Sequence, residues 1–252
     1  MSAPVFLVEP GALAHVAAGD TYLLDGSEGR HAGVVQRRGP GERVDVVDGA
    51  GVRLVGTVAA VGPEGVHLAV EDVRVEPEPS PRLVLVQALA KGDRDEMAIE
   101  AATEVGADAV VPWQAERSIV VWRGDRAAKS RARWVGTVRA ATKQSRRARA
   151  PEVAQAVDGA GLRALVASTG AAGGATLVLH EEATTPLADV PLPATGDVLV
   201  VVGPEGGIGE RELDGLVAAG ATTARLGPHV LRTSTAGPVA LALLAQRLGR
   251  WS

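Results

Sequence analysis

Two glycine-rich segments carry the residue types and spacings that could do chemistry. In Val198-Leu-Val-Val-Val-Gly-Pro-Glu-Gly-Gly-Ile-Gly-Glu210 an apolar run passes straight into a glycine turn and then into a helical pattern. Such a junction presents free backbone N–H groups to a flat or anionic ligand. Glycines at 203, 206, 207 and 209 would let the backbone approach that ligand closely. The competing reading is a tight strand-to-helix turn with no ligand, and the chain itself shows how weak the short version is. Gly62-Pro-Glu-Gly65 repeats the same four letters inside a β pattern, where it reads as a hairpin. The nucleotide alternatives fail outright: Glu212 breaks a G-x-G-x-x-G, and no Gly-Lys-Ser/Thr follows for a P-loop.

The second segment, Leu226-Gly-Pro-His-Val-Leu-Arg-Thr-Ser-Thr-Ala-Gly-Pro238, also joins a strand end to a helix. Its hydroxyls Thr233, Ser234 and Thr235 read most simply as helix caps. Arg232 is less easily explained by packing, because a structural arginine in an apolar loop needs its own acidic partner. A third feature is electrostatic. Residues 117 to 149 hold 11 Lys/Arg against one Asp/Glu, a local charge of +10 in a chain whose total is −4. A solvated helix face normally interleaves its charge signs. This one-signed run therefore points to phosphate binding, sequence-independent and salt-dependent.

These segments need a scaffold. Residues 44 to 47, 51 to 58 and 66 to 70 are short β-branched runs separated by Asp48-Gly49 and Gly62-Pro-Glu-Gly65, and predict a small barrel or curled sheet. Glu76-Pro-Glu-Pro-Ser-Pro81 can continue neither a helix nor a central strand and marks a linker over 76–81. Beyond it, apolar strands alternate with helices, which predicts a mostly parallel α/β sheet covered on both faces. The expected strands are 82–90, 109–112, 164–167, 177–179, 198–202 and 223–226. The expected helices are 93–105, 127–143, 210–219 and 234–248. Asp93 and Glu96 have the spacing of a capping box, Met97, Ala101, Ala102 and Val105 are expected to share a face, and Gly106 ends that helix.

Composition bounds the rest. The chain has 252 residues, 46% hydrophobic, enough for one large or two ordinary domains with real cores. Without cysteine it has no disulfide, thiolate metal site or cysteine nucleophile. The histidines form no metal-ligand spacing, and no metal is expected. No basic stretch leads into an apolar run at the N-terminus, and no apolar run has the ~20 residues a membrane span needs. The chain reads as a soluble, cytoplasmic protein without a membrane partner.

Val-Gly-Pro-Glu-Gly-Gly followed by Leu-Gly-x-x-Val-Leu-Arg-Thr resembles the SPOUT methyltransferases. Lys91-Gly-Asp-Arg94, Ala102-Thr-Glu-Val-Gly106, Glu116-Arg-Ser118, Gln144-Ser145 and His31-x-x-x-Val35-x-Arg37 with Gly39-Pro-Gly41 extend the likeness along nearly the whole chain. Together they resemble the family that methylates N3 of a uridine in 16S ribosomal RNA. The resemblance implies a PUA-like, RNA-binding β-barrel over 1–75 and a trefoil-knotted SPOUT domain over 82–252. It also implies S-adenosyl-L-methionine as cofactor, a homodimer, and 16S rRNA or the assembled small subunit as partner. The implied cofactor contacts are Leu179, His180, Glu181, Val202, Gly203, Pro204, Glu205, Gly206, Gly207, Leu226, Gly227, Val230, Leu231 and Thr233. Arg232 is the implied catalytic residue, stabilising charge on the uracil carbonyls. Arg37, Lys91, Arg94, Arg117, Gln144, Arg146 and Arg147 are the implied RNA contacts. Three positions depart from the pattern: His229 stands where Arg is usual, and Ser234 and Lys143 stand where Glu is usual. The loss of an acid at 234 removes one candidate for accepting the uridine proton. The rivals are a SPOUT enzyme with another RNA target and a non-catalytic ribosome-assembly factor. The Lys91-Gly-Asp-Arg94 match weighs against the first, and the intact cofactor letters against the second.

Overall fold

The computed structural model describes residues 3–251, which divide into two units: residues 3–78 with 142–150, and residues 79–141 with 151–251. The expected boundary at the proline-rich stretch falls near this division, but residues 142–150, expected with the second domain, group with the first.

The first unit is a five-stranded sheet in the order β1-β3-β4-β5-β2. Its strands are β1 (Val5–Leu7), β2 (Thr21–Leu24), β3 (Arg43–Val47), β4 (Val52–Gly62) and β5 (Gly65–Val75), with a short helix α1 (Gly26–Arg30) after β2. The three β-branched runs give β3, β4 and β5, and Gly62 pairs with Gly65 where the β4–β5 hairpin turns. β1 lies parallel to β3, and the other pairs are antiparallel. Phe6, Leu24, Val44, Val46, Leu54, Val66 and Leu68 fill its core. The sequence pattern missed β1 and β2, which are too short to show a period. Residues 142–150 join this unit through specific contacts. Ala148 is buried with Val5, Leu7 and Val47, and Ala150 N–H donates to Gly49 O at 2.9 Å. Lys143 Nζ lies 2.7 and 2.8 Å from the two oxygens of Glu28.

The second unit is a parallel sheet in the order β12-β10-β11-β6-β7-β8, with β9 also beside β7. These strands are β6 (Arg82–Ala88), β7 (Ala109–Gln114), β8 (Glu152–Val153), β9 (Val157–Asp158), β10 (Ala175–Leu179), β11 (Asp197–Val202) and β12 (Thr222–Ala224). The helices are α2 (Arg94–Glu104), α3 (Asp125–Gln144), α4 (Gly159–Ala171), α5 (Glu210–Ala218) and α6 (Thr233–Arg247). The apolar runs have the physical cause expected of them. Leu83 and Leu85 of β6, with Val198, Val200 and Val202 of β11, enter one core with Ile99 of α2, Trp134 of α3 and Leu241 of α6. The alternate residues Val84, Val86, Leu199 and Val201 enter a second core with Leu162 of α4 and Leu216 of α5. Both faces are covered, so no strand needs a polar side. Gly237 allows α6 to lie tightly on the sheet, since a Cβ there would stand 2.7 Å from Leu85 Cδ1.

Two local expectations are corrected. Residues 164–167 are helical, inside α4: the Asp158 carboxylate accepts Gly161 N–H at 2.8 Å as N-cap, and Leu162, Val166 and Thr169 form the buried stripe of a 3.6-residue period. Asp93 occupies the N-cap of α2 without a side-chain cap bond, and Glu96 instead meets Arg133 at 2.5 Å. Met97 is 51% exposed, and the buried face of α2 runs through Ala98, Ile99 and Ala102. Gly106 does end the helix, at φ +105°, where a side chain would be strained. Among the described residues no helix is long and apolar enough to cross a membrane.

Candidate active site

β10, β11 and β12 end side by side, and the loops leaving them enclose a pocket of about 730 Å³ within the second unit. That volume suits a cofactor-sized ligand. β11 delivers Val202 and the turn Gly203-Pro-Glu-Gly-Gly207, β10 delivers Leu179, His180 and Glu181, and the loop after β12 delivers Leu226, Gly227, Val230 and Leu231. Arg232 and Thr233, at the start of α6, complete this wall. The structure thus brings every residue marked as a cofactor contact, together with Arg232, to one cavity. The turn closes with Gly207 N–H donating to Pro204 O at 2.9 Å, and Gly207 has φ +72°, a conformation that selects glycine. Among the described residues, the backbone N–H groups of Gly206, Gly227, Val230 and Leu231 donate to no protein acceptor. Buried or pocket-lining N–H groups without a protein acceptor are available to a ligand.

Thr233 does not cap α6. Its Oγ1 donates to Gly203 O at 2.7 Å and accepts from Gln87 Nε2 at 2.9 Å. Arg232 is the N-cap residue by backbone position, and its carbonyl accepts the Thr235 and Ala236 N–H groups and the Thr235 hydroxyl. Its exposed side chain has no acidic partner among the described residues, so packing does not account for its charge. His180 Nδ1 accepts Glu182 N–H at 3.3 Å. His229 lines the pocket and is exposed, whereas Ser234 is 7% exposed.

The implied RNA contacts separate into groups. Arg37, Gln144, Arg146 and Arg147 belong to the first unit, and Lys91, Arg94 and Arg117 to the second. Arg94 and Arg117 line the pocket and are occupied: Arg94 Nη1 meets Glu205 Oε1 at 2.7 Å, and Arg117 Nη1 donates to Gly206 O at 3.0 Å. Glu205, marked as a cofactor contact, therefore spends its carboxylate on protein. Burial pushes that carboxyl up, but hydrogen bonds from its own N–H, Arg94 and Lys91 N–H outweigh this and hold it below the ordinary glutamate range. The basic segment divides likewise. Arg131 donates to the carbonyls of Val153 and Ala154, Arg133 pairs with Glu96, Lys143 with Glu28, and Arg149 reaches Glu76 O and Pro77 O. Arg123, Arg126, Lys129 and Arg146 are exposed without side-chain partners among the described residues.

Sequence reasoning missed Gln87, which is fully buried and whose amide joins β6 to α6. The signal was present: it is the one polar side chain in the otherwise apolar interior of β6. Glu212 was also missed. It is 3% exposed, accepts Glu116 N–H at 3.2 Å, and burial raises its carboxyl above the ordinary range.

A parallel α/β sheet with a pocket of glycine-rich loops at its carboxyl edge is a frame used by many enzymes, and comparison narrows it: residues 76–245 match the family model of the RNA methyltransferase domain. The chain is of the RNA methyltransferase class. It is 45% identical, over 92% of its length and 89% of the relative's, to the ribosomal RNA small subunit methyltransferase E of Mycobacterium bovis, and 30% identical, over 89% of its length and 90% of the relative's, to that of Bacillus subtilis. It belongs to the ribosomal RNA small subunit methyltransferase E family. The fold agrees. The structure of the Neisseria gonorrhoeae family member bound to S-adenosyl methionine superposes with a TM-score of 0.85 at 27% identity, covering 100% of both chains. A Legionella pneumophila putative methyltransferase in complex with the same cofactor gives 0.82 at 29% identity, covering 98% of both.

Proposed function

We propose that this protein transfers a methyl group from S-adenosylmethionine to N3 of a specific uridine in 16S rRNA. The observation that carries the reading is the convergence of the Gly203–Gly207 turn, the 226–231 loop and Arg232, which has no acidic partner among the described residues, on one pocket. When bound, the cofactor supplies a methyl group already activated by a sulfonium charge. The protein's task is then alignment and charge. Backbone donors of Gly206, Gly227, Val230 and Leu231, with the apolar walls of Leu179, Val202 and Leu226, hold and orient the donor. Arg232, exposed at the pocket rim, stabilises the negative charge that develops on the uracil carbonyls as N3 loses its proton.

In this reading the first unit is a PUA-like RNA-binding domain, and free cations such as Arg146 supply phosphate contacts. The second unit is a knotted SPOUT domain. Its supports are the insertion of β11 between β10 and β6 and the return of α6 onto β6, β11 and α2. The protein acts as a homodimer: on α6, Leu241 and Leu244 are buried in the core, whereas Val239 and Leu243 are 40% and 46% exposed and available to a second copy.

The test is mass spectrometry of rRNA from a deletion strain. Loss of 3-methyluridine from 16S rRNA, restored by the wild-type gene and not by Arg232→Ala, is expected. Persistence of that nucleoside rejects the target. Absence of S-adenosylmethionine binding at millimolar concentration would instead favour a non-catalytic assembly factor.

A further inference from the structure

The glycine-rich turn does not hold itself. With glycine at 203, 206 and 207 its backbone has more freedom to lose than any ordinary loop, and it makes one internal hydrogen bond, Gly207 N–H to Pro204 O. Two arginines reach it from two other segments. From the first turn of α2, Arg94 Nη1 meets Glu205 Oε1 at 2.7 Å, and the same oxygen accepts N–H of Lys91, in the loop after β6, at 3.1 Å. From the loop after β7, Arg117 Nη1 donates to Gly206 O at 3.0 Å. The arginine stem lies against that glycine, since a Cβ on Gly206 would stand 3.3 Å from Arg117 Cβ.

Both arms have fixed bases. Asp95, 5% exposed, accepts Glu96 N–H at 2.9 Å and so braces the start of α2 beside Arg94. The buried Glu212 of α5 accepts Glu116 N–H, next to Arg117. The strands behind the arms, β6 and β7, lie in order beside β11, from which the turn emerges.

We propose that Arg94 and Arg117 are positioning residues that clamp the turn from two sides and order it before the cofactor binds. This rests on the reading that the turn holds S-adenosylmethionine. It reassigns two arginines whose sequence context points to RNA. A loop ordered in advance does not lose that freedom on binding, so the clamp appears as cofactor affinity.

The experiment measures S-adenosylmethionine affinity by calorimetry for the wild type, Arg94→Ala, Arg94→Lys, Glu205→Gln, Arg117→Ala and the double variant Arg94→Ala/Glu205→Gln. It is paired with hydrogen exchange of the turn amides in the cofactor-free protein and with thermal unfolding. Each single alanine or glutamine variant is expected to bind roughly tenfold more weakly, the scale of one charge-assisted hydrogen bond. The double variant is expected to be no weaker than either single one, and Arg94→Lys to recover part of the loss. Turn amides should exchange faster in the variants, with little change in melting temperature and with KM for the cofactor moving more than kcat.

Affinities within twofold of the wild type, additive losses in the double variant, or unchanged turn exchange would overturn the clamp. A crystal structure of the wild type with S-adenosylmethionine separates this from failure of the underlying reading. Cofactor located away from residues 203–207 removes the site itself, whatever the variants do.

Discussion

Thr233 Oγ1 stands 2.7 Å from the carbonyl of Gly203, so the first residue of α6 is bonded to the residue at which β11 leaves the sheet. The two lie thirty positions apart in the chain, and Gln87 completes the bridge from β6. The two motif-bearing loops are thereby one hydrogen-bonded object, and both Gly203 and Thr233 line the pocket.

Thr233→Val keeps the shape and removes this bridge, leaving the part-buried Gly203 O without it and the buried Gln87 Nε2 with its 3.2 Å bond to Ala88 O alone. We expect a loss of about 1–3 kcal/mol in unfolding free energy. Cofactor affinity should fall with it, because the turn loses its tether. Denaturant unfolding with parallel calorimetry checks this, and a variant as stable as the wild type would show that the bridge contributes nothing.

Asp95 sets a pH dependence. Burial, opposed by hydrogen bonds from Glu96 and Ala90 N–H, raises its carboxyl to about 6. The fold therefore disfavours the ionised form. The associated stability is present below the ordinary aspartate range and is lost as pH rises through about 6. Between about pH 4 and pH 7 this single group should remove on the order of 2 to 3 kcal/mol. Asp95→Asn should flatten that slope and raise stability at neutral pH. An unchanged slope in urea titrations at the two ends of the range would assign the pH dependence elsewhere.

Lys143 has a structural task in the first unit. Its ammonium meets both oxygens of Glu28, the side chains being 22% and 20% exposed, and lies 6.0 Å from the Phe6 ring centroid. Lys143→Ala should cost about 1–2 kcal/mol, discounted for partial exposure. Lys143→Glu should cost more, by opposing two carboxylates. The exchange Glu28→Lys/Lys143→Glu should recover most of the loss in thermal unfolding; failure to recover would mean that shape rather than charge matters here.

The basic segment should divide by function. Replacing Arg123, Arg126 and Lys129 together by Ala should lower the salt slope of RNA binding by about 0.7 to 0.9 for each phosphate no longer neutralised, without changing the melting temperature. Arg131→Ala should do the reverse, since that guanidinium holds α3 to the carbonyls of Val153 and Ala154. Equal slopes for the triple variant and the wild type would return those three cations to ordinary solvated charge.

The long buried strands and the site motifs are legible in the sequence because both are local, whereas β1, β2, β8 and β9 are too short to show a period. A strand buried on both faces must be apolar throughout, so β6 and β11 are visible as runs, and a turn that needs backbone donors and φ +72° at Gly207 announces itself in glycine. α4 is not legible in the same way, because Ala164-Leu-Val-Ala167 is apolar at every position a short window can see. Only the Leu162, Val166, Thr169 stripe, with the Asp158 cap, separates a helix from a strand there.

By itself, then, the sequence determined the alternation of elements, the two glycine-rich loops and the concentration of positive charge over residues 117 to 149. Tertiary structure alone decided which of those charges are free. Arg131, Arg133, Lys143 and Arg149 are indistinguishable from the other cations in a one-dimensional count, yet each has a protein partner on another element. Charge is a property of residues, whereas its neutralisation depends on distances of roughly 3 to 4 Å between positions far apart in the chain.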